Sequence, residues 1–187
     1  MLPPSIRVQW AQEVDADFHA RYSATARSYV YLLRSHRVAS PILHGKVGWT
    51  HRPLALEAMR RAASLLCGEH DFSAFRSSEC QAASPVRTLE SLTISQSGDF
   101  FLFTFKANAF LHHMVRNLMG ALVEVGRGKA PPEWTTELLS HRDRRLAPPT
   151  FSAAGLYLAR ADYPNRYGLP SLPVREALHS HLGISLS

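Results

Sequence analysis

No run in this sequence is long and apolar enough to cross a membrane as a helix, and the first residues carry no signal-peptide core. A membrane partner is therefore not expected. Cysteine is scarce. Cys67 and Cys80 are the only two, and neither stands at a metal or redox spacing. They read as reduced thiols of a cytoplasmic protein, not as a disulfide framework. There is no internal repeat and no low-complexity tract. Acidic residues are the minority charge, 15 against 21 lysines and arginines, which leaves a net charge of +6. A basic surplus favours a polyanionic partner and steers association, but it does not bear on fold.

What is present suits one domain with a real core: 187 residues, 45% of them hydrophobic. Alternating Ile6, Val8 and Trp10 predict a short strand, and Arg27 to Leu33 a tyrosine-rich one. Ser35 to Pro53 reads as a loop holding Arg37, Lys46 and Arg52. Leu56 to Leu66 has helical spacing, with Gly68 placed as its C-terminal cap. Ser77 to Pro85 is polar loop. Leu89 to Ile94 and Phe100 to Lys106 predict two strands around a Gln96-Ser97-Gly98-Asp99 hairpin. Phe101, Phe103 and Phe105 share one face of the second strand, Leu102 and Thr104 the other. That strand is expected to be central, with cover on both sides. A main helix is predicted from Phe110 to Val125, a shorter one from Trp134 to Leu139, and a last strand from Gly155 to Ala161. Strands and helices mix without regular alternation. The fold class expected is α+β, a mostly antiparallel sheet with helices packed on it. Residues 1–165 are expected to form the domain and 166–187 a peripheral tail.

The most informative run is Asn108-Ala109-Phe110-Leu111-His112-His113-Met114-Val115-Arg116-Asn117. It joins an apolar strand pattern to an apolar helix pattern, yet it carries two histidines, an arginine and two amides. Polar groups in such a place need partners. His112 and His113, as neighbours on a helix, would point about 100° apart. No carboxylate or cysteine stands at ligand spacing, so no metal is expected there. A second segment, Phe18 to Tyr31, joins a basic loop to a strand with Tyr29 and Tyr31 on one face. Arg142, Arg144 and Arg145 form a basic cluster that is either solvated or a secondary RNA contact.

These two segments, with Gly68-Glu69-His70-Asp71-Phe72-Ser73-Ala74-Phe75-Arg76 and Ala154-Gly155-Leu156-Tyr157-Leu158, resemble the TruA family of tRNA pseudouridine synthases. The similarity runs in order from about Leu2 to about Pro170. One departure matters. Family members carry an Arg-Thr-Asp-x-Gly-Val-His motif that supplies a nucleophilic aspartate, and no Arg-Thr-Asp occurs here. The sole Arg-Thr pair, Arg87-Thr88, is followed by Leu89. The chain is therefore expected to be the C-terminal domain of such an enzyme, inactive alone.

The resemblance implies isomerisation of uridine to pseudouridine at positions 38, 39 and 40 of the tRNA anticodon arm, by a homodimer and without a cofactor. It implies that Arg116 pairs with the absent aspartate, so that its partner lies outside this chain. A guanidinium beside a carboxylate keeps the nucleophile anionic. It implies that Tyr29 lines the uridine pocket, with a ring that stacks and a hydroxyl that can move a proton, and that Leu156 forms an apolar wall. His19, Arg21 and Arg27 are the expected phosphate or sugar contacts. The alternative is a non-catalytic RNA-binding or dimerisation module.

Overall fold

The computed structural model of the chain describes residues 2–170. Its centre is the strand β5 (Phe100–Ala107), paired antiparallel with β1 (Ala26–Ser35) on one side and β4 (Val86–Ser97) on the other. Short β3 (Gly68–Asp71) pairs with the outer edge of β4. The far edge of β1 is divided. Its first part pairs antiparallel with β6 (Leu156–Asp162). Its last three residues pair parallel with β2 (Gly48–Thr50). The fold is thus α+β with a six-stranded, mostly antiparallel sheet, as the pattern predicted.

Period-two alternation in β5 sends Phe101, Phe103 and Phe105 to one face, where all three are buried. Helices α1 (Leu56–Leu66) and α2 (Met114–Gly126) cover that face through Met59, Leu66, Leu118 and Leu122. Helix α3 (Trp134–His141) packs beside α1. Leu102 on the opposite face joins Val30 and Leu32 in a smaller cluster with Val47. Burying each phenylalanine is worth roughly 1.5–3 kcal/mol. This double-sided cover is why β5 is central.

Four expectations differ from what is observed. Ile6, Val8 and Trp10 form no strand: no described strand pairs with them, and all three are about half exposed or more. Alternation supplied an apolar face but not the ladder that a strand needs. Strands β2 and β3 fall where loop and helix cap were expected. Gly-Glu-His-Asp has no β propensity, and only its register with β4, Gly68 against Leu89, makes it a strand. Helix α2 begins four residues later than predicted, because His113 adopts a left-handed φ of 62° that no helix continues through. The hairpin is tighter than the four residues read from sequence. Ser97 pairs with Phe100, leaving Gly98 and Asp99 as the turn. Of the expected tail, residues 171–187 lie outside the described residues. Tyr167, before them, is buried, with its ring edge-on to Phe18 at 5.0 Å.

Gly155 stands at the fork where β1 changes partner. Its carbonyl accepts from Leu32 N at 2.9 Å, and its φ is +94°. A Cβ there would lie 2.6 Å from Gly48 N and closer still to Leu32 O. Both obstacles are backbone, so neither can swing aside. Gly155→Ala is expected to cost more than about 2 kcal/mol. Gly128→Ala, where φ is +72° but a Cβ would meet nothing within 4 Å, is expected to cost only the roughly 1–2 kcal/mol of backbone strain. Urea midpoints of the two variants test the ranking.

Candidate active site

A cleft of about 960 Å³ opens at the end of the sheet where β1 begins. Arg21, Arg27, Tyr29, Arg116 and Leu156 all line it. Five of the six residues expected from sequence therefore come together. Each is placed by its element. Tyr29 follows a register shift between β1 and β6 at Ser28/Tyr29, the kind of bulge that re-aims a side chain. Its ring meets the edge of Phe110 at 5.2 Å and 85°. Leu156 opens β6 opposite Tyr31. Tyr31, two positions from Tyr29 on the same face, is buried. It donates to Ser152 O at 2.9 Å, and burial pushes its hydroxyl pKa far up.

Arg116 lies in the first turn of α2. A cation there opposes the positive end of the helix dipole, by roughly 0.3–1 kcal/mol. No acidic residue occupies that turn. Among the described residues no carboxylate pairs with Arg116, and Glu79 is the only acid lining the cleft, against four arginines. One expectation needs correcting. The guanidinium is not free of this chain: its Nε donates to Phe151 O at 2.8 Å, and Phe151 N donates back to Arg116 O at 3.2 Å. The pair fixes the inner edge of the guanidinium, and among the described residues no partner meets its terminal nitrogens.

His19 is the residue that the cleft does not take in. Its Nδ1 accepts from Arg21 N at 3.1 Å and Tyr22 N at 3.3 Å, and its ring lies 4.3 Å from that of Tyr22. It shapes the loop that carries Arg21. Arg27 is also more committed than a free phosphate ligand. It donates to Ala24 O at 3.2 Å, to Asn108 O at 3.0 Å and to Arg21 O, so it latches the basic loop to the end of β5.

Of His112 and His113, one was expected to pack and the other to face the cleft; neither is on the helix, and both line the cleft with rings stacked at 3.9 Å. Burial, then the neighbouring His112 and Arg116, hold the His113 pKa below the usual histidine value, against a weaker opposing pull from Glu79. Sequence reasoning missed several other lining residues. Residues 79–82 form another wall. Arg76 holds that loop through Cys80 O and Ala82 O, both at 2.7 Å, and His112 N donates to Cys80 Sγ at 3.4 Å. No local pattern in the polar run from Ser77 to Pro85 announces that role. Phe110 stood within the singled-out run, but the helix expected there hid its contact with Tyr29. Among the described residues no group of three His, Cys, Asp or Glu is placed to hold a metal, and no helix is long and apolar enough to cross a membrane.

A cationic cleft with a half-buried aromatic ring, an apolar wall and an acid-free arginine suits a nucleotide and an incoming carboxylate. The relatives agree. Residues 62–164 match the family described as tRNA pseudouridine synthase, and this chain belongs to that family, in its TruA-type branch. It is 60% identical over 168 residues to tRNA pseudouridine synthase A of Bordetella petrii, an alignment covering 90% of this chain and 63% of that protein. The enzymes of the same name from Nitrosomonas eutropha and Burkholderia mallei are 59% and 57% identical over 174 and 169 residues, covering 93% and 90% of this chain. The chain spans 63% of the length of each of these curated relatives.

Because Arg116 is bonded in the chain, Arg116→Met is expected to destabilise it by about 1 kcal/mol, the net worth of one hydrogen bond. The same change removes a cation beside His113 and should raise that histidine's pKa. The sign follows from linkage. A histidine pKa depressed in the fold means that the unfolded chain takes up more protons, so stability falls as pH drops through the ordinary histidine range, around 6.5. Arg116→Met should shrink that fall. Histidine NMR titration and urea midpoints at two pH values measure both effects.

Proposed function

We propose that this chain supplies the arginine- and tyrosine-bearing part of a tRNA pseudouridine synthase active site, acting on uridines at positions 38, 39 and 40 of the anticodon arm. The observation that carries the reading is Arg116, held by Phe151 O with its outer nitrogens toward the cleft and no acid to meet them. The nucleophile, an aspartate, comes from outside these 187 residues, since the sequence has no Arg-Thr-Asp and the only cleft acid among the described residues is Glu79. Arg116 keeps that aspartate ionised and oriented. The aspartate attacks the nucleoside and the carbon–nitrogen bond to the base breaks. The base turns and rejoins through carbon, and the bond to the aspartate breaks, releasing the carboxylate. That carbon loses a proton and the freed nitrogen gains one, so atoms and electrons balance without an oxidant or cofactor.

Tyr29 has two parts to play. Its ring, braced by Phe110, stacks on the flipped base, typically worth ~1–3 kcal/mol. Its hydroxyl moves the proton. Leu156 closes the other side of the base as an apolar wall. Arg21, with Arg27 behind it, meets backbone phosphate or sugar. The reading includes cytoplasmic action and a homodimer that shares the tRNA. Val38, Ile42 and Trp49 are exposed apolar side chains of the kind a second copy would cover. Sedimentation equilibrium of the chain tests that part, and a monomer at all concentrations counts against it.

This chain incubated with unmodified tRNA is expected to form no pseudouridine. Turnover by the chain alone would show that the nucleophile lies within it. In an enzyme completed by the aspartate-bearing segment, Tyr29→Phe should bind normally and turn over more slowly by ~10²–10⁴. Tyr29→Leu should lose binding as well. Full turnover by both variants would favour a non-catalytic RNA-binding or dimerisation module, with the chemistry elsewhere.

A further inference from the structure

Arg144 is half-buried and has no carboxylate partner among the described residues. Its neighbours in sequence are satisfied differently: Arg145 pairs with Asp143 at 2.6 Å, and Arg142 approaches Asp71 at 3.5 Å. Arg144 turns inward instead and spends its fork on neutral oxygens. Nη1 donates to Ala147 O at 3.1 Å and Pro148 O at 2.7 Å. Nη2 donates to Asn117 Oδ1 at 3.1 Å and Thr150 Oγ1 at 3.3 Å. Burial lowers its pKa, so holding the charge there costs free energy. A charge kept without an acid suggests that its geometry matters.

The geometry is a strap. Arg144 gathers residues 147–150 and ties them to Asn117, which is fully buried. Asn117 donates to Phe75 O at 2.8 Å and accepts from Thr150 Oγ1 at 2.7 Å. Gly120 lets the strap lie flat on α2, since a Cβ there would come within 2.9 Å of Pro149 O. The next residue along is Phe151, whose carbonyl holds Arg116 Nε and whose N–H returns to Arg116 O. Asn117 also follows Arg116 directly in the helix.

We propose that Arg144 is a positioning residue for Arg116: by fixing the strap against Asn117, it fixes the carbonyl that aims the Arg116 guanidinium into the cleft. It touches no substrate. The proposal rests on the reading that Arg116 orients a carboxylate. Lysine cannot replace it, because an ammonium carries the charge but not the fork that reaches Pro148 O and Asn117 Oδ1 at once.

The test follows the Arg116 Nε–H resonance in proton–nitrogen spectra of the full 187-residue chain, assigned by its loss in Arg116→Lys. In Arg144→Lys its solvent exchange should quicken roughly three- to tenfold, the worth of a weakened hydrogen bond, while the Phe103 and Phe105 amides stay protected. Thr150→Val, which removes one hydroxyl from the strap, should quicken it less, and it decides the matter if Arg144→Lys does not fold. Unchanged Arg116 exchange in a folded variant overturns the proposal. So does loss of protection at Phe103 and Phe105 together with Arg116, which would make Arg144 a general support. No RNA enters these spectra. Quickened exchange, with pseudouridine formation in the completed enzyme unaffected by Arg116→Met, would sink the functional reading and leave the positioning one standing.

Discussion

At the first turn of α2 the positive end of the helix dipole and the guanidinium of Arg116 meet, and no acidic side chain stands in that turn. Both are positive, and they face a cleft whose other charged groups are three arginines and one glutamate. In water such an arrangement costs little. Where a cleft excludes water, it becomes a standing demand for an anion, because the local dielectric falls and the repulsion grows. The left-handed His113, the Phe151 pair and the inward Arg144 are all ways of holding that charge in one place.

The cleft walls are set by the sheet. β5 is pinned by its three buried phenylalanines, and β1 is pinned by β5 along its whole length. Tyr29 therefore starts from a rigid line, and the register shift with β6 tilts it toward the opening. Phe110 packs against the ring at 5.2 Å in an edge-to-face contact, which restricts its freedom. The basic loop at Arg21 is less rigid by construction. Hydrogen bonds from Arg27 and to His19 Nδ1 hold it, with little apolar burial beneath it. A firm platform with an adaptable rim suits a ligand recognised by a stacked base and a variable backbone path.

Much of this was legible in the chain. The α1 boundaries, the hairpin and the central position of β5 follow from period and turn chemistry alone, because burial there obeys simple patterning. Tyr29, Arg116 and Leu156 came from ordered motifs, not from chemistry readable in isolation, and their convergence required the topology that brings β6 to β1. What sequence could not show is tertiary in origin. Gly-Glu-His-Asp is a strand only because β4 offers an edge. His113 breaks the helix by a dihedral angle that histidine rarely adopts. Arg144 reads like its neighbours in Arg142-Asp143-Arg144-Arg145 until its fork is seen to point inward. Ile6, Val8 and Trp10 are the opposite case, a local pattern that no sheet edge among the described residues completes.

The late arrival of β6 has a consequence for the making of the protein. Tyr31 pairs with Leu156, so one wall of the cleft is separated from the next by most of the chain. Contacts of such long range close slowly, and synthesis delivers the N-terminal partner first. A nascent chain emerging from the ribosome can fold β1, β4 and β5 around α1 and α2 while the first half of β1 still has an open edge. Until residues 156–162 emerge, that chain has a core and a basic surface but no finished pocket. Surrounded by the ribosome's own RNA, it carries its basic surface before the wall at Leu156 exists.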